Sequence, residues 1–415
     1  MERSAGVTWR LAGSWLLLTL FLGGCASMPG WVPSWMGGKD EKKRTEPVVP
    51  RQPVQVAEGP TGLQLAWRKS NASLHDWRGG GEPSEHFEQP ARFVVTDGEA
   101  YVGTFQGRVV KYDLKTGGVA WSVQVGSSVM GGVAVDEERV FAGTEQGEMI
   151  ALKRSNGELV WRTRVATTVD SAPAVADGKV VFVTLDNRTY ALDAVTGKRL
   201  WMHSTTAEAL VVMGSATPTI ADGLVFVGYS SGEVYVLRLA DGNRAWSDNL
   251  RVLGGSSELD MMQDVDASVV LSGQHGPQVA PRRAFMANHQ GRLVAYFAAT
   301  GSRIWEKKLS VVRQPLWFQG RLFLADLEGN LVAISADDGV ELWRAHITDG
   351  MLTTPIIFKD KVVVADNKKN LFTLDPASGR LLGRDPVPGA VMSLPMVDDR
   401  GLYLWTNSGE LLRYE

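Results

Sequence analysis

One short pattern recurs along most of this chain and ends in the same way each time. Apolar residues lead into a glycine-containing turn, and a second run then closes on tryptophan, as in "ALDAVTGKRLW". Successive copies end at Trp121, Trp161, Trp201, Trp246, Trp305 and Trp343, and a seventh copy, "LFTLDPASGRLLG", has Gly383 at the tryptophan position. The spacings are 40, 40, 45, 59, 38 and 40 residues. A fixed period of this size is typical of stacked or radially arranged supersecondary units.

Each repeat has the pattern of β-strands. Within residues 171–203, the runs "SAPAV", "VVFVTL", "TYALDA" and "RLWMHS" are separated by "ADGK", "DNR" and "VTGK". Glycine and asparagine occur where a tight hairpin needs a positive φ, and the 3.6-residue period of an amphipathic helix is missing. Four antiparallel strands in about 40 residues make one blade of a β-propeller.

The number of hairpin turns gives the number of blades. The turn between the second and third strands occurs eight times, whereas the turn between the third and fourth strands occurs seven times. The last unit therefore lacks a fourth strand, and an unassigned strand, "LQLAWRKS" with Trp67, lies near the N-terminus. We predict an all-β fold, an eight-bladed β-propeller with four antiparallel strands per blade, whose last blade is closed by this N-terminal strand. Closure removes an open sheet edge. Because the tryptophan recurs around the whole ring, we predict that it packs between blades rather than stacking on a ligand.

The N-terminus has the pattern of an export signal. An apolar run of 12 residues, 11–22, follows two arginines and is too short to span a bilayer. The next residues, "LGGC", resemble the lipobox of bacterial lipoproteins, which implies lipidation of Cys25 and, with Ala26 following, an outer-membrane location facing the periplasm. The alternative is an ordinary signal peptide with a chance cysteine. The predicted divisions are a signal peptide at 1–24, a lipidated cysteine and flexible Pro-rich tether at 25–60, and the propeller at 61–415.

Composition and motifs argue against several kinds of activity. The formal net charge is −3 and no basic stripe occurs, which disfavours nucleic acid as a partner. Cys25 is the only cysteine, and no histidine pair has metal-ligand spacing. The pair Asp264 and Asp266 resembles the start of a calcium loop but lacks the glycine and the glutamate that an EF-hand needs. His203 and His346 follow outer-strand tryptophans closely, which predicts a place at the blade surface. We therefore predict no catalytic residue, no cofactor and no metal site.

The repeat "ALDAVTGKRLW" resembles the tryptophan-docking motif of the pyrroloquinoline-quinone (PQQ) propellers over the whole of residues 61–415. This family has two branches that share the repeat. One consists of quinoprotein dehydrogenases, which are usually much longer and often carry a bridged pair of adjacent cysteines beside the quinone. The other includes lipoproteins of the outer-membrane β-barrel assembly machinery, and the lipobox fits that branch.

The second branch implies a partner and a contact surface. The segment "EALVVMGSATP", 208–218, and the segment "GSSELDMMQDVD", 255–266, are similar to family segments that meet BamA through its periplasmic POTRA domains. By position, the resemblance implies five contact residues: Leu210, Val212, Met213, Asp264 and Asp266. Met213 departs from the family pattern, in which arginine is common. The alternatives are a buried connection between blades for Leu210 and Val212, and a solvated loop or turn cap for the two aspartates.

The sequence thus favours a non-enzymatic scaffold that binds BamA and aids insertion of β-barrel proteins into the outer membrane, with unfolded outer-membrane proteins as further partners. One alternative is a PQQ-dependent dehydrogenase-like propeller or a relic that still binds a ligand. Another is an envelope lipoprotein of the same fold with a different partner.

Overall fold

A computed structural model describes residues 53–70, 93–205, 216–251, 268–273, 281–288, 291–309, 311 and 313–415. All regular secondary structure in these ranges is β-strand, 32 strands in total. They form eight separate four-stranded sheets, and every pairing within a sheet is antiparallel. The predicted all-β fold is confirmed.

The strands fall into four positions, which repeat from blade to blade. The first strands are β2 (Val94–Thr96), β6 (Val133–Val135), β10 (Ala174–Ala176), β14 (Thr219–Ala221), β18 (Val270–Leu271), β22 (Leu316–Phe318), β26 (Ile356–Phe358) and β30 (Met396–Val397). The second strands are β3 (Glu99–Gly103), β7 (Arg139–Gly143), β11 (Lys179–Thr184), β15 (Leu224–Gly228), β19 (Arg283–Asn288), β23 (Arg321–Ala325), β27 (Lys361–Ala365) and β31 (Leu402–Trp405).

The third strands are β4 (Arg108–Asp113), β8 (Glu148–Lys153), β12 (Arg188–Asp193), β16 (Glu233–Arg238), β20 (Arg292–Phe297), β24 (Asn330–Ser335), β28 (Asn370–Leu374) and β32 (Glu410–Tyr414). The fourth, outer strands are β5 (Gly118–Gln124), β9 (Leu159–Arg164), β13 (Arg199–Ser204), β17 (Arg244–Asn249), β21 (Arg303–Lys308), β25 (Glu341–His346), β29 (Leu381–Pro386) and β1 (Leu65–Ser70). Blade 1 is β2–β5, the next blades follow in order to blade 7 (β26–β29), and blade 8 combines β30–β32 with β1.

The blades form a ring. First strands of neighbouring blades contact each other at most of the seams, and β30 of blade 8 contacts β2 of blade 1. The outer strand of blade 8 comes from the N-terminal side, because β1 pairs with β32 and places Trp67 opposite Arg413. The predicted eight-bladed propeller, with its last blade closed by the N-terminal strand, is confirmed.

The hydrophobic core is a series of clusters in the seams between blades. Second and third strands are buried along their centres, because neighbouring blades cover both of their faces. Phe141 of blade 2 meets Phe182 and Tyr190 of blade 3 in one such cluster. Runs of β-branched and aromatic residues such as "VVFV" in β11 suit strands that are covered on both faces.

The antiparallel order places the loops at two opposite ends of each blade. One end, the turn face, has the turns between strands one and two and between strands three and four. The other end, the connection face, has the turns between strands two and three and the connections from one blade to the next. Backbone hydrogen bonds join these connections to the turns beside them, as from Val129 to the Thr104 carbonyl at 3.0 Å and from Val169 to the Thr144 carbonyl at 3.1 Å.

Six tryptophans seal the rim between consecutive blades. In blade 3 the Trp201 indole Nε1 donates to the Leu239 carbonyl of blade 4 at 2.9 Å. Its ring lies against Gly242, where an added Cβ would be 2.6 Å from ring carbons. The same bond joins Trp121 to Arg154, Trp161 to Ala194, Trp246 to Ala298, Trp305 to Ala336 and Trp343 to Pro376. The packing role predicted for the repeated tryptophan is confirmed.

One expectation about the blade surface is wrong. His346, the last residue of β25, is only 2% exposed. Its Nδ1 lies 2.9 Å from Asn330 Oδ1 on the adjacent strand β24, and its Nε2 lies 3.4 Å from Asp349 Oδ1. These polar partners let an imidazole turn into the seam between blades, which spacing from a tryptophan cannot indicate.

Candidate functional site

The predicted contact residues belong to two connections whose described ends lie on the connection face. Residues 206–215, with Leu210, Val212 and Met213, join β13 of blade 3 to β14 of blade 4. Residues 252–267, with Asp264 and Asp266, join β17 of blade 4 to β18 of blade 5. All five residues lie outside the described part of the chain, as does Cys25. Their roles stay predictions, and the described residues show where the two connections start and end.

The two connections end side by side. Thr217 lies two residues beyond the first connection, and its amide donates to Ser268 Oγ, just beyond the second, at 3.2 Å. Two residues further on, Thr219 Oγ1 donates to the Val269 carbonyl at 2.8 Å. These contacts pin the C-terminal ends of the two connections together, although the ends are about 50 residues apart in sequence. Residues that the sequence resemblance assigned to one surface therefore belong to connections with a common end.

The starting points are also fixed by hydrogen bonds. Thr205, before the first connection, bonds through its amide to the Asn187 carbonyl at 3.3 Å and through its Oγ1 to Glu233 Oε2 at 2.5 Å. Before the second connection, the Leu250 amide donates to the Gly232 carbonyl at 2.8 Å. The Leu250 carbonyl accepts from Asn288 Nδ2 at 2.8 Å.

The residues of blades 3, 4 and 5 that hold the ends of the two connections are called the platform: Asn187, Thr205, Thr217, Glu233, Leu250, Ser268 and Asn288. Asn187 (2% exposed), Ser268 (3%) and Asn288 (0%) are buried, and their side chains serve as fixed polar supports. No sequence spacing predicts this role. Only Asn187 fits a recognisable pattern, because asparagine with a φ of 57° is common in tight hairpins. The platform's amides, hydroxyls and carboxylate bond to one another and so fix where the two connections start and end.

His203 is the titratable ring nearest to this platform in sequence, two residues before Thr205. Its ring lies 4.8 Å from that of Tyr235 in blade 4. Burial lowers the pKa of His203, the nearby Arg244 lowers it further, and Glu233 opposes them. The imidazole is therefore neutral at neutral pH and acts as part of the seam between blades 3 and 4.

A separate cavity of about 600 Å³ lies at the turn face between blades 1 and 2. Its lining includes Lys111, Glu99 and Arg154. Lys111 Nζ lies 2.6 Å from Glu99 Oε1, and Arg154 Nη2 lies 3.0 Å from Glu99 Oε2. Burial raises the pKa of Glu99, but hydrogen bonds from Lys111, Tyr101 and Arg154 outweigh burial and lower it overall. Arg154 Nη2 also lies 2.7 Å from Asp97 Oδ2, so two cations meet two carboxylates, as expected of a structural ion network.

Two residues that depart from the repeat pattern indicate this network in the sequence. Five second strands begin with a basic residue, at Arg139, Lys179, Arg283, Arg321 and Lys361, whereas β3 begins with Glu99. Arg154 likewise stands where the equivalent positions that accept a tryptophan hydrogen bond have Ala194, Leu239, Ala298, Ala336 and Pro376. A comparison of the repeats with one another would have shown both departures.

Within the described ranges, no group of three or more His, Cys, Asp or Glu side chains could hold a metal ion. The same ranges contain no helix with the length and apolar character that crossing a membrane requires.

The sequence comparisons with known proteins agree on one family. The family model described as "Outer membrane protein assembly factor BamB" matches residues 105–320 and 300–414. Curated relatives with this name include that of Legionella pneumophila, 28% identical over 206 residues, and that of Pseudomonas aeruginosa, 29% identical over 212 residues. These alignments cover 49% and 51% of this chain and 52% and 54% of the relatives, so the matched region spans about half of each relative's length.

Solved structures show the same architecture. BamB from Moraxella catarrhalis superposes with a TM-score of 0.73 at 20% identity, covering 85% of this chain and 99% of that one. A quinohemoprotein alcohol dehydrogenase from Comamonas testosteroni superposes with a TM-score of 0.66 at 16% identity, covering 85% of this chain and 76% of that one. At these identities the likeness extends to the fold alone.

Proposed function

Because the chain belongs to the BamB family of outer membrane protein assembly factors, we propose that it is a non-enzymatic scaffold of the machinery that inserts β-barrel proteins into the outer membrane. The observation that carries the proposal is the family match across residues 105–414, which takes in both candidate connections. A propeller suits such a role, since it is a rigid ring that displays loops on one face.

The proposed partner is BamA, bound through its periplasmic POTRA domains. The first connection would supply an apolar centre with Leu210, Val212 and Met213, and the second would add the carboxylates of Asp264 and Asp266. An apolar centre with a charged rim is the usual anatomy of a protein interface. The joined ends at Thr217 and Ser268 support a single surface rather than two. Unfolded outer-membrane proteins are the further proposed partners.

We propose that the protein is anchored in the outer membrane and faces the periplasm. Cys25 would carry the lipid, and residues 26–52 would separate it from residue 53, the first described residue. Several acyl chains together give firm anchoring, at about 0.8 kcal/mol per buried methylene. Labelling cells with a palmitate analogue should mark the wild-type protein and leave a Cys25→Ser variant unmarked. Labelling of both would contradict the anchor.

The partner surface can be tested by changing both connections together. A variant with Leu210→Arg, Asp264→Lys and Asp266→Lys should lose co-purification with BamA, because a buried cation and two reversed charges oppose the same contact. The control is Asp399→Lys, an exposed aspartate of the blade 8 turn face. Retention of BamA by the triple variant at the wild-type level would refute the surface, and loss in the control would show that the effect is not specific to it.

The dehydrogenase-like alternative is favoured by one observation, the shared fold with the quinohemoprotein enzyme. It predicts that the purified protein takes up PQQ in the presence of calcium and acquires the absorbance of the bound quinone. Equilibrium dialysis at high PQQ concentration without uptake would remove this alternative.

A further inference from the structure

The seventh seam of the ring lacks its tryptophan. Gly383 of β29 pairs with Thr373, and the strand register shifts at the next pair. In blade 6 the same shift follows the pair of Trp343 with Ala333. Gly383 therefore occupies the docking position of blade 7. Blade 8 also differs, because β32 and β1 come from distant parts of the chain and no turn joins them. A tryptophan at position 383 would have no such turn to dock on.

The chain leading to β1 fills this space. A Cβ built on Gly383 would lie 2.4 Å from the Pro60 carbonyl oxygen and 2.4 Å from Thr61 Cα. Only a residue without a side chain allows the backbone of 60–61 to pass so close to β29. Gly383 is thus the receptor for an N-terminal segment.

Residues 53–64, the strap, lie on blade 7 as an extended chain with one inward face. Thr61 and Leu63 are buried, at 1% and 8% exposure, whereas Val56 is 91% exposed. Gln55, Ala57 and Gly59 are half-buried, and the even-numbered residues between them are exposed. This alternation is the period of a strand packed on one face. Residues 53–60, which were predicted to be part of the flexible tether, lie in the strap.

Hydrogen bonds hold the strap at several points. The Arg384 amide donates to the Gly59 carbonyl at 3.0 Å, and the Thr61 amide donates to Asp385 Oδ2 at 3.0 Å. Thr61 Oγ1 also donates to Asp385, and Lys361 Nζ donates to the Thr61 carbonyl at 3.2 Å.

The strap's outer end reaches the seam between blades 6 and 7. The Gln55 amide donates to the His346 carbonyl at 2.9 Å, and Gln55 Oε1 accepts from the Leu381 amide at 2.9 Å. Ala57 packs against the hydrophobic cluster of this seam, and Leu63 is part of the cluster between blades 7 and 8. The strap therefore contacts both seams that flank blade 7 before the chain continues into β1.

We propose that the strap is a clamp that protects the ring-closing strand from pulling on the N-terminal tether. β1 is held in blade 8 by its pairing with β32. A force applied directly at Leu65 would break these bonds one after another from the end. With the strap docked, the force acts first on the bonds to blade 7, and β1 stays paired. The source of the force, a lipid-anchored tether, rests on the proposed function, whereas the docking of the strap does not.

Hydrogen–deuterium exchange of the purified full-length protein tests the docking. In the wild-type protein the amides of Gln55 and Thr61 should exchange at least about tenfold more slowly than in an unstructured peptide of the same sequence, since both are hydrogen-bonded. A Gly383→Trp variant should lose this protection, because the indole takes the space of Pro60 and Thr61. The matched control, Val56→Trp, adds the same ring to the exposed side of the strap and should keep wild-type protection.

A milder variant guards against failure of Gly383→Trp to fold. Thr61→Val with Asp385→Asn removes the charged acceptor and one donor while retaining the size of both side chains, and strap protection should fall partly. Unstructured exchange rates in the wild-type strap, or unchanged protection in both variants, would overturn the clamp.

Single-molecule pulling tests the mechanical role. Cys25 is the only cysteine in the chain and accepts a thiol-reactive handle, with a second handle fused after Glu415. In the wild type the strap should detach first, and this first event should need a higher force than the detachment of β1 in Gly383→Trp, whose strap is already displaced. A first event at the same force in the two proteins would contradict the proposal. These measurements need no lipid. If palmitate labelling of Cys25 failed, that result would contradict the lipid anchor but not the docking of the strap.

Discussion

The seams after blades 1 to 6 and the seam after blade 7 seal the same rim by different means. In the first six, a tryptophan on the outer strand packs on a glycine turn of the next blade and bonds to its backbone. In the seventh, glycine replaces tryptophan and residues 60–61 of the strap fill the gap. The difference shows that sealing depends on filled space and satisfied backbone groups, and that either a side chain or a passing chain can supply them.

The regular seams should be the more sensitive to truncation of a side chain. Trp201→Ala removes a ring that is 8% exposed, and we expect a loss of about 3–5 kcal/mol in the free energy of unfolding, as for other large buried aromatics. Urea denaturation measures this loss. The control is Met202→Ala, one residue along the same strand and 42% exposed, with an expected change within about 0.5 kcal/mol. Equal effects of the two substitutions would mean that tryptophan docking contributes little to the ring.

The glycine side of the seam should be nearly as sensitive. Gly197 has a φ of 69°, and a Cβ there would lie 2.6 Å from carbons of the Trp161 ring. Gly197→Ala should therefore cost about 2–4 kcal/mol, from backbone strain and from overlap with the ring. Gly178→Ala is a matched control, since Gly178 has a φ of 68° and no atom within 4 Å of the added Cβ. It should cost only the backbone part, about 1–2 kcal/mol.

The difference between these two glycine variants measures the contact with tryptophan alone, because both substitutions introduce the same strain. A difference near zero in urea denaturation would show that the Trp161 ring moves aside without cost. The seam would then be looser than its geometry indicates.

The regular seams could be predicted from sequence, and the seventh could not. The period, the turn glycines and the tryptophans follow from local chemistry, and so do the blade count and the closure by the strand with Trp67. The strap's sequence shows no apolar alternation, since "PVQVAEGPTGLQ" contains two prolines and two glycines and resembles a linker. Its order comes from Gly383 and Asp385, more than 300 residues away.

The candidate site illustrates the same limit. Nothing in the local sequence joins Thr217 to Ser268, because their contact depends on how blade 4 sits beside blade 5. The five predicted partner residues came from resemblance to a family rather than from periodicity. The buried position of His346 was missed for a similar reason, since its partner Asn330 lies on the neighbouring strand.

The eighth seam has a tryptophan that lacks the hydrogen bond of the other six, and Lys69 rather than its ring lies nearest to the turn glycine Gly117. Trp67 stands at the docking position of blade 8, but its Nε1 is buried without a hydrogen-bond partner among the described residues. Trp201→Phe should cost about 1–2 kcal/mol more than Trp67→Phe, because only the first substitution leaves a carbonyl, that of Leu239, without its donor. Chemical denaturation of the two variants gives the difference. A larger loss for Trp67→Phe would contradict this account and place a partner for the indole in the closed ring.

The smallest expected effect concerns pH at the seam between blades 3 and 4. Burial, assisted by Arg244, lowers the pKa of His203 in the folded protein, whereas in the unfolded chain a histidine titrates near pH 6.5. The unfolded state therefore binds the proton more readily, and stability falls as the pH drops below about 6.5. His203→Gln, which cannot titrate in this range, should show a smaller decline between pH 7.5 and pH 5.5 in parallel urea denaturations. Met202→Gln, which changes an exposed neighbour on the same strand and removes no titrating group, serves as the control. If the stability of the His203 variant declined as steeply as that of the wild type, the burial of this ring against Tyr235 would not explain the acid sensitivity of the seam. The carboxylates would then have to account for the decline.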